Sequence, residues 1–196
     1  MTPMSESQGD RRLLRGAQSR RAIARRAVDV ASLEGLDGLS FGGLATDLGV
    51  SKSGIQTLFG TKEQLQVAAA EAARAAFVDA VIAPAQEQPH GAARMRALID
   101  RWLDYATEPL FPGGCFWAAN LPAFDSRPGQ VRDTLTGHQR DWRGLLAAEL
   151  RHAGTTEPDR TAFQVDAVLL AANTALRLDD RDIVATVHRI VEDLLP

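Results

Sequence analysis

The segment from Leu44 to Leu65 concentrates small polar side chains and lysine around two short apolar periods. Its second period has one outward side composed of Lys52, Ser53, Gly54, Gln56 and Thr57. Such side chains fit the major groove of DNA, where glutamine can bind adenine through two hydrogen bonds, threonine can contact a thymine methyl and lysine can bind phosphate or guanine. The residue types therefore predict contact with DNA bases.

Two short helices are needed to position these side chains. The apolar spacing predicts helices over 40–48 and about 51–58, joined as a helix-turn-helix. Gly49 permits the tight turn, Val50 is expected to fill the angle between the helices, and Ser40 and Ser51 are candidate N-caps. The alternative interpretation is an ordinary helical corner with no nucleic-acid partner.

A longer helix is predicted to begin at Thr61 and to continue to Ile82, before Pro84. The sequence Thr61-Lys62-Glu63-Gln64 has the pattern of a capping box, in which Thr61 and Gln64 bond each other's backbone amides. Free amides at the start of a helix suit a phosphate.

Charge is distributed unevenly along the chain. Residues 1–62 contain seven arginines and two lysines against six acidic residues, a net charge of +3, whereas the whole chain carries −3. All seven arginines lie between Arg11 and Arg26, without an acidic residue among them. This pattern indicates either a solvated basic segment or a phosphate-binding end on an acidic protein.

Helical periodicity predicts an all-α fold with almost no strand signal. Besides the segments above, the predicted helices cover about 17–34, 91–107, 114–124, 128–153, 157–178 and 180–195. The single cysteine, Cys115, favours a reducing compartment. The apolar runs are too short for a membrane span, and the polar, arginine-rich N-terminus lacks the apolar core of a secretory signal.

Residues 39–65, "LSFGGLATDLGVSKSGIQTLFGTKEQL", resemble the DNA-binding signature of the tetracycline-repressor (TetR) family of bacterial one-component regulators. The resemblance is specific at residue level over about 20–80, and helix order and chain length are similar throughout. The segment 113–133 also resembles a subgroup of the family's C-terminal domains.

The resemblance implies an all-α homodimer with a three-helix DNA-binding head, a linking fourth helix and a body that holds an effector pocket and the dimer face. Residues 1–16 are expected to be a mobile basic leader, 17–62 the DNA-binding domain, and 63–196 the effector-binding and dimerisation domain. Lys62 matches the family's phosphate-binding lysine, and Leu58 occupies a position where many members carry tyrosine. The residues expected to contact DNA are Arg20, Arg21, Arg25, Ser40, Ser51, Lys52, Ser53, Gly54, Gln56, Thr57, Leu58, Thr61 and Lys62.

Aromatic residues are few but clustered in the C-terminal part. They are either plain core or the wall of an apolar cavity, in which Asn120 and His138 would orient a mostly apolar ligand. The residues expected to bind this effector are Trp102, Tyr105, Phe116, Trp117, Asn120, Phe124, His138 and Trp142.

Cys115 is interpreted either as a small buried apolar residue or as a thiol sensor of oxidants or electrophiles at a helix N-terminus. The four histidines are scattered, with no two of them three or four residues apart, so neither a metal site nor a cofactor is expected. No catalytic motif is apparent.

The last two helices are more apolar than one intramolecular face requires. They either pack within their own subunit or pair with a second copy in a four-helix interface. The residues expected at that interface are Phe163, Asp166, Leu170, Asn173, Ile183, Val187, Ile190, Val191 and Leu194.

Together these patterns predict a bacterial, cytoplasmic, nucleoid-associated transcriptional regulator without a membrane partner. It is expected to be a repressor that binds a palindromic operator as a homodimer and is released by a small, mostly apolar molecule. The alternatives are an enzyme that uses the aromatic pocket, a thiol-based sensor acting through Cys115, or a helical adaptor whose helix-turn-helix binds protein.

Overall fold

The structure, a computed structural model, describes residues 6–196, with side chains from residue 16 onward. These residues form nine α-helices of eight or more residues and no strand, which confirms the all-α prediction. The helices are α1 Glu6–Glu34, α2 Phe41–Leu48, α3 Lys52–Phe59, α4 Lys62–Phe77, α5 Ala92–Thr107, α6 Phe116–Phe124, α7 Gln130–Ala153, α8 Pro158–Arg177 and α9 Ile183–Leu194. A 3₁₀ turn, Leu36–Gly38, follows α1, and a π-helical turn, Val78–Ile82, extends α4.

Helix α1 begins earlier than the sequence pattern predicted. The leader was expected over residues 1–16, but the backbone is helical from Glu6, and residues 1–5 lie outside the described residues. The segment after Glu6 is rich in arginine and leucine, which favour a helix, and it contains no proline.

The starts of α2, α3 and α4 are capped as the sequence predicted. Ser40 and Ser51 each accept a hydrogen bond from the amide three residues further on, at 2.9 and 3.1 Å. Thr61 and Gln64 form the reciprocal capping box. Gly49 adopts a left-handed conformation with φ of 64°, which ends α2 and allows the chain to turn into α3.

Helices α1, α2 and α3 form a three-helix head around a small apolar core. Ile55 and Phe59 are the buried residues of α3, and they pack with Leu44 of α2 and the buried side of α1. Arg26 of α1 binds the carboxylate of Asp47 through two hydrogen bonds of 2.7 and 3.1 Å, which fixes α2 against α1.

Helices α5 to α9 form the body, in which α7 is the central element and packs against α4, α5, α6 and α8. Two connections join the head to the body. The first is α4, and the second is the contact of the end of α1 and the 3₁₀ turn with α6. None of the helices in the described part of the chain combines the length and hydropathy required of a membrane-spanning segment.

Candidate DNA-binding and ligand-binding sites

Helix α3 presents the outward surface that its sequence predicted. Lys52, Ser53, Gly54, Gln56 and Thr57 are all exposed. The Thr57 hydroxyl donates to the carbonyl of Ser53 at 2.8 Å, so its methyl group is the part left for an external contact. This surface is small, polar and free of acidic groups, as a helix entering the major groove requires.

The turn before α3 differs from the expectation in one respect. Val50 was expected to fill the angle between α2 and α3, but 48% of the residue is exposed. Because Ile55 and Phe59 already fill that angle, Val50 remains beside the exposed surface of α3.

Two arginines of α1 contact neighbouring elements while part of each residue stays exposed. Arg20 donates to the carbonyl of Leu58, and its guanidinium lies 4.5 Å from the ring centroid of Phe59. Arg25 donates to Asp29 at 2.8 Å and to the carbonyl of Leu110 in the body at 3.1 Å. Both arginines thus help to hold the head in place, and their contact with phosphate stays a prediction. Arg21 is exposed.

Leu58 contributes to the core of the head, and its contact with DNA stays a prediction. Its side chain is half-buried and packs against the core of the head, because it follows Ile55 by three residues and shares its face of α3. Only its edge borders the exposed surface.

Lys62 lies at the start of α4, where its Nζ donates to the carbonyl of Asp37 at 2.6 Å. Asp37 also pairs with Arg127, and this hydrogen-bonded guanidinium is the main cause that lowers the pKa of the Asp37 carboxyl. The lysine is exposed and bound through a neutral carbonyl, so it can turn towards a phosphate at little cost.

The body contains a cavity of about 270 Å³ between α4, α5, α7 and α8. Four predicted residues line it: Trp102, Trp117, His138 and Trp142. Further wall residues were missed from the sequence, namely Arg74, Phe77, Val78, Ile82, Cys115, Gln139, Asp141, Leu145 and Leu169. The sequence of α7 could have indicated part of this wall, because His138, Trp142 and Leu145 recur at helical spacing on one face.

Aromatic rings build most of this wall. The Phe77 ring lies 5.1 Å from Trp117 and 5.3 Å from Trp142, centroid to centroid, and both pairs are edge-to-face. Val78 and Ile82 come from the π-helical turn, a distortion that is often found at functional sites.

Four residues predicted to bind ligand lie outside the cavity. Tyr105 and Phe116 are buried in the neighbouring core, where the Tyr105 hydroxyl accepts the Phe116 amide at 3.1 Å. Phe124 packs under the Arg127 guanidinium. The Asn120 amide is already occupied, because Oδ1 accepts the Leu36 amide at 2.6 Å and Nδ2 donates to two backbone carbonyls.

Two titratable groups face the aromatic wall. Burial lowers the pKa of His138, whose Nε2 lies 3.3 Å from Oε1 of Glu71. Burial raises the pKa of Asp166, which accepts a hydrogen bond of 2.5 Å from Gln139. Both shifts favour the neutral forms, whereas Arg74 and Asp141, which also line the cavity, form an ion pair of 2.8 Å with each other.

Cys115 lies in the cavity wall just before α6. It is buried, and this burial raises the pKa of its thiol above the ordinary value. A protonated thiol is a poor nucleophile.

The arrangement of head and body matches a known family. Residues 91–191 match the family model described as the tetracyclin repressor-like C-terminal domain. This match covers more than half of the chain. The protein belongs to the TetR family.

Solved TetR-family structures have the same fold over most of their length. A regulator from Chloroflexus aurantiacus matches with a TM-score of 0.81 and 20% identity, covering 89% of this chain and 92% of that one. Escherichia coli NemR in its reduced form matches at 0.76 and 20%, with coverage of 91% and 97%. AibR, solved with isovaleryl coenzyme A and operator DNA, matches at 0.72 and 20%, with coverage of 90% and 98%. No curated protein sequence matches the chain.

The body of this TetR-family protein has an exposed apolar stripe along α8. Phe163, Ala167, Ala171, Thr174 and Leu178 are exposed at spacings of three or four residues, which places them on one helix face. Phe163 is 58% exposed and Leu178 77%. Apolar side chains this exposed, in a continuous row, are typical of a protein–protein contact.

Several residues predicted for the dimer interface have contacts within the subunit, and the interface itself stays a prediction. Val187 and Val191 are buried in its core, because the inner face of α9 packs on α8 and α5. Asp166 and Leu170 line the cavity. Asn173 accepts the Cys115 amide at 3.0 Å. Ile183, Ile190 and Leu194 are half-buried, and Phe163 lies on the exposed stripe.

Proposed function

We propose that this TetR-family chain is a ligand-responsive repressor that binds a palindromic operator as a homodimer and dissociates when a small, mostly apolar molecule enters the cavity. The observation that carries the proposal is the position of α6. This helix provides Trp117 to the cavity wall and, three residues later, Asn120 to the head.

Recognition of DNA is assigned to α3 and the start of α4. The exposed Gln56 and Thr57 read bases, whereas Lys62 and the free amides at the starts of the helices bind phosphates. AibR, a protein of the same fold, was solved with operator DNA, which supports this use of the head. A dimer would hold its two α3 helices about 34–36 Å apart, one turn of DNA.

Coupling between the sites follows from the bonds of Asn120. Its side chain binds the Leu36 amide and the Ala31 carbonyl, so a shift of α6 moves the end of α1 and the 3₁₀ turn. A ligand that displaces Trp117 would therefore change the orientation of the head. The ligand must prefer one of the two conformers, typically by about 1–3 kcal/mol.

The cavity favours a small aromatic or aliphatic molecule with one polar group. Its volume of about 270 Å³ is slightly below the common range for ligand sites, roughly 300–1,000 Å³. Trp117 Nε1 and His138 Nδ1 are buried without a hydrogen-bond partner in the described part of the chain. A hydroxyl group could accept from Trp117 and donate to neutral His138 after a small rotation of either ring.

A thiol sensor is the second candidate, since Cys115 lines the same cavity and an electrophile that entered would reach it. Its raised pKa argues for a protonated, weakly reactive thiol. Release from DNA that requires an oxidant and disappears in Cys115→Ser would favour this candidate over reversible ligand binding.

DNA binding can be tested with the DNA upstream of the protein's own gene in a mobility-shift assay. Lys62→Ala should weaken binding to specific and random DNA alike and reduce the salt slope by about one unit. Gln56→Ala should cost about 1–3 kcal/mol on the specific site and much less on random DNA. Equal losses on both DNAs would remove Gln56 from base readout. Arg189→Ala, an exposed arginine of α9, is the matched control and should leave binding unchanged.

Ligand binding can be followed through intrinsic fluorescence, because the only three tryptophans, Trp102, Trp117 and Trp142, all line the cavity. A compound that releases the protein from DNA should change the tryptophan emission saturably. The concentration at half-maximal emission change should equal that at half-maximal release, once the competing effect of DNA binding on ligand affinity is included. Ala119 is exposed on α6 and lies outside the cavity wall, so Ala119→Trp gives a reporter away from the ligand. Releasing compounds that leave the three native tryptophans unaffected would place the pocket elsewhere.

Dimerisation is assigned to the exposed stripe of α8. Ala171→Glu should produce monomers in light scattering and lose operator binding, because the isologous contact would bury two unpaired carboxylates. Ala93→Glu introduces the same charge at an exposed alanine of α5 and should leave the dimer intact. Unlike Leu170 or Val187, Ala171 has no role in the subunit's cavity or core. A dimer that persists in Ala171→Glu would contradict this placement.

A further inference from the structure

Two histidines and a buried glutamate converge at the end of the body that is distant from the head. His90 precedes α5, and Glu149 and His152 lie three residues apart in the last turn of α7. One ligand atom of each residue lies within 4.8 Å of those of the other two. The scattered histidines of the sequence did not indicate this cluster, because its residues meet only where the start of α5 lies beside the end of α7.

Glu149 is held in a fixed orientation by its neighbours. Only 2% of its side chain is exposed. Oε2 accepts the Gly91 amide at 2.9 Å, and Oε1 lies 3.0 Å from Nδ1 of His90. Hydrogen bonds of this kind orient carboxylates that bind metal ions.

Gly91 makes the close approach of the two helix ends possible. Its φ is +94°, and a Cβ at this position would lie 3.3 Å from the backbone of His152 and Ala153. The imidazole centroids of His90 and His152 are consequently only 4.7 Å apart. The negative end of the α7 dipole also favours a cation here.

We propose that His90, Glu149 and His152 form a binding site for a divalent transition metal ion of the zinc type. Two imidazoles and one carboxylate suit Zn²⁺, Co²⁺ or Ni²⁺, whereas Mg²⁺ and Ca²⁺ prefer oxygen ligands. Bonds of about 2.0–2.1 Å require ligand atoms roughly 3.4 Å apart in a tetrahedron. Because both histidines are exposed, side-chain rotation can shorten the present separations, and water can complete the coordination.

Arg94 is the neighbouring cation that a bound metal ion would have to displace. Its Nη1 lies 3.5 Å from Oε1 of Glu149 and 3.1 Å from Nδ1 of His90. Its other bonds go to the carbonyls of Gln86 and Gln88, so it can leave the cluster without losing all its partners. Metal binding exchanges this cation for another and joins the start of α5 to the end of α7, which should stabilise the fold by mass action.

The test uses the full-length chain, with any polyhistidine tag removed, and Zn²⁺ as the probe in calorimetry. The wild type should bind one Zn²⁺ per chain and show a higher melting temperature with Zn²⁺. His90→Ala and His152→Ala should each weaken binding at least tenfold, and the double variant should lose both effects. His188→Ala, an exposed histidine beside Asp100, should behave as the wild type.

Co²⁺ absorption gives an independent readout of the ligands. The wild type should develop visible bands of four- or five-coordinate Co²⁺, and the double variant should not. An equal Zn²⁺ affinity in the wild type and the double variant, or no saturable binding by the wild type, would show that Glu149 only caps α5 and pairs with Arg94. The apo variants should keep the wild-type circular dichroism spectrum, because both substituted side chains are exposed.

Discussion

Asn120→Ala should lower the free energy of unfolding by about 2–4 kcal/mol and weaken the response of DNA binding to effector. Asn120 is completely buried, and its amide makes three hydrogen bonds to backbone groups of α1, the 3₁₀ turn and α6. Alanine leaves the Leu36 amide and the Ala31 carbonyl without these partners, each at a cost of about 1–3 kcal/mol unless water replaces them. Urea unfolding measures the stability, and a DNA titration with and without effector measures the coupling.

Asn173→Ala is the matched control for this prediction. Asn173 is also buried and also accepts a backbone amide, that of Cys115, but this bond lies wholly within the body. The Asn173→Ala variant should therefore be less stable than the wild type but should keep the contact between α6 and the head. If the two variants lose effector response to the same extent relative to their stabilities, Asn120 has no special part in the coupling.

The head was predicted well because its signals are local. Ser40, Ser51 and the Thr61–Gln64 pair bond groups three residues away, so the sequence contains both partners of each bond. The turn at Gly49 depends on a single backbone conformation that glycine adopts readily. Such features do not depend on how distant parts of the chain pack.

The role of Asn120 could not be predicted from the sequence. An asparagine on an aromatic helix suggested a polar group inside a pocket, whereas its partner Leu36 lies 84 residues away in the chain. His90 and Glu149 are likewise separated by 59 residues and meet only because the start of α5 lies beside the end of α7. Sequence spacing contains no information about such pairs.

The last helices show a different limit. Apolar spacing indicated that α8 and α9 each have buried faces, which is correct, but it did not tell an internal contact from one with a second chain. Val187 faces the subunit's own core, whereas Phe163 remains exposed. Both are apolar residues at helical spacing, so only their positions against neighbouring helices distinguish them.

The joint between head and body is also expected to be intolerant of a single methyl group at Gly113. An added Cβ would lie 1.8 Å from the Ser32 carbonyl oxygen and 2.1 Å from its carbon, so the loop before α6 must move away from α1. That movement would break the 2.9 Å bond from the Gly113 amide to Ser32 Oγ. Gly113→Ala should therefore cost about 3 kcal/mol or more in urea unfolding, as severe overpacking does.

Gly137→Ala in α7 is the opposite control, because an added Cβ there meets no atom within 4 Å. Alanine in the middle of a helix should stabilise the protein by about 0.5–1 kcal/mol through reduced freedom of the unfolded chain. Stability equal to that of the wild type in Gly113→Ala would show that the loop yields easily and that the head is not held there. In that case Asn120 would remain a bond between α6 and the head beside the Arg127–Asp37 and Arg25–Leu110 contacts, and Asn120→Ala should speed limited proteolysis at the joint.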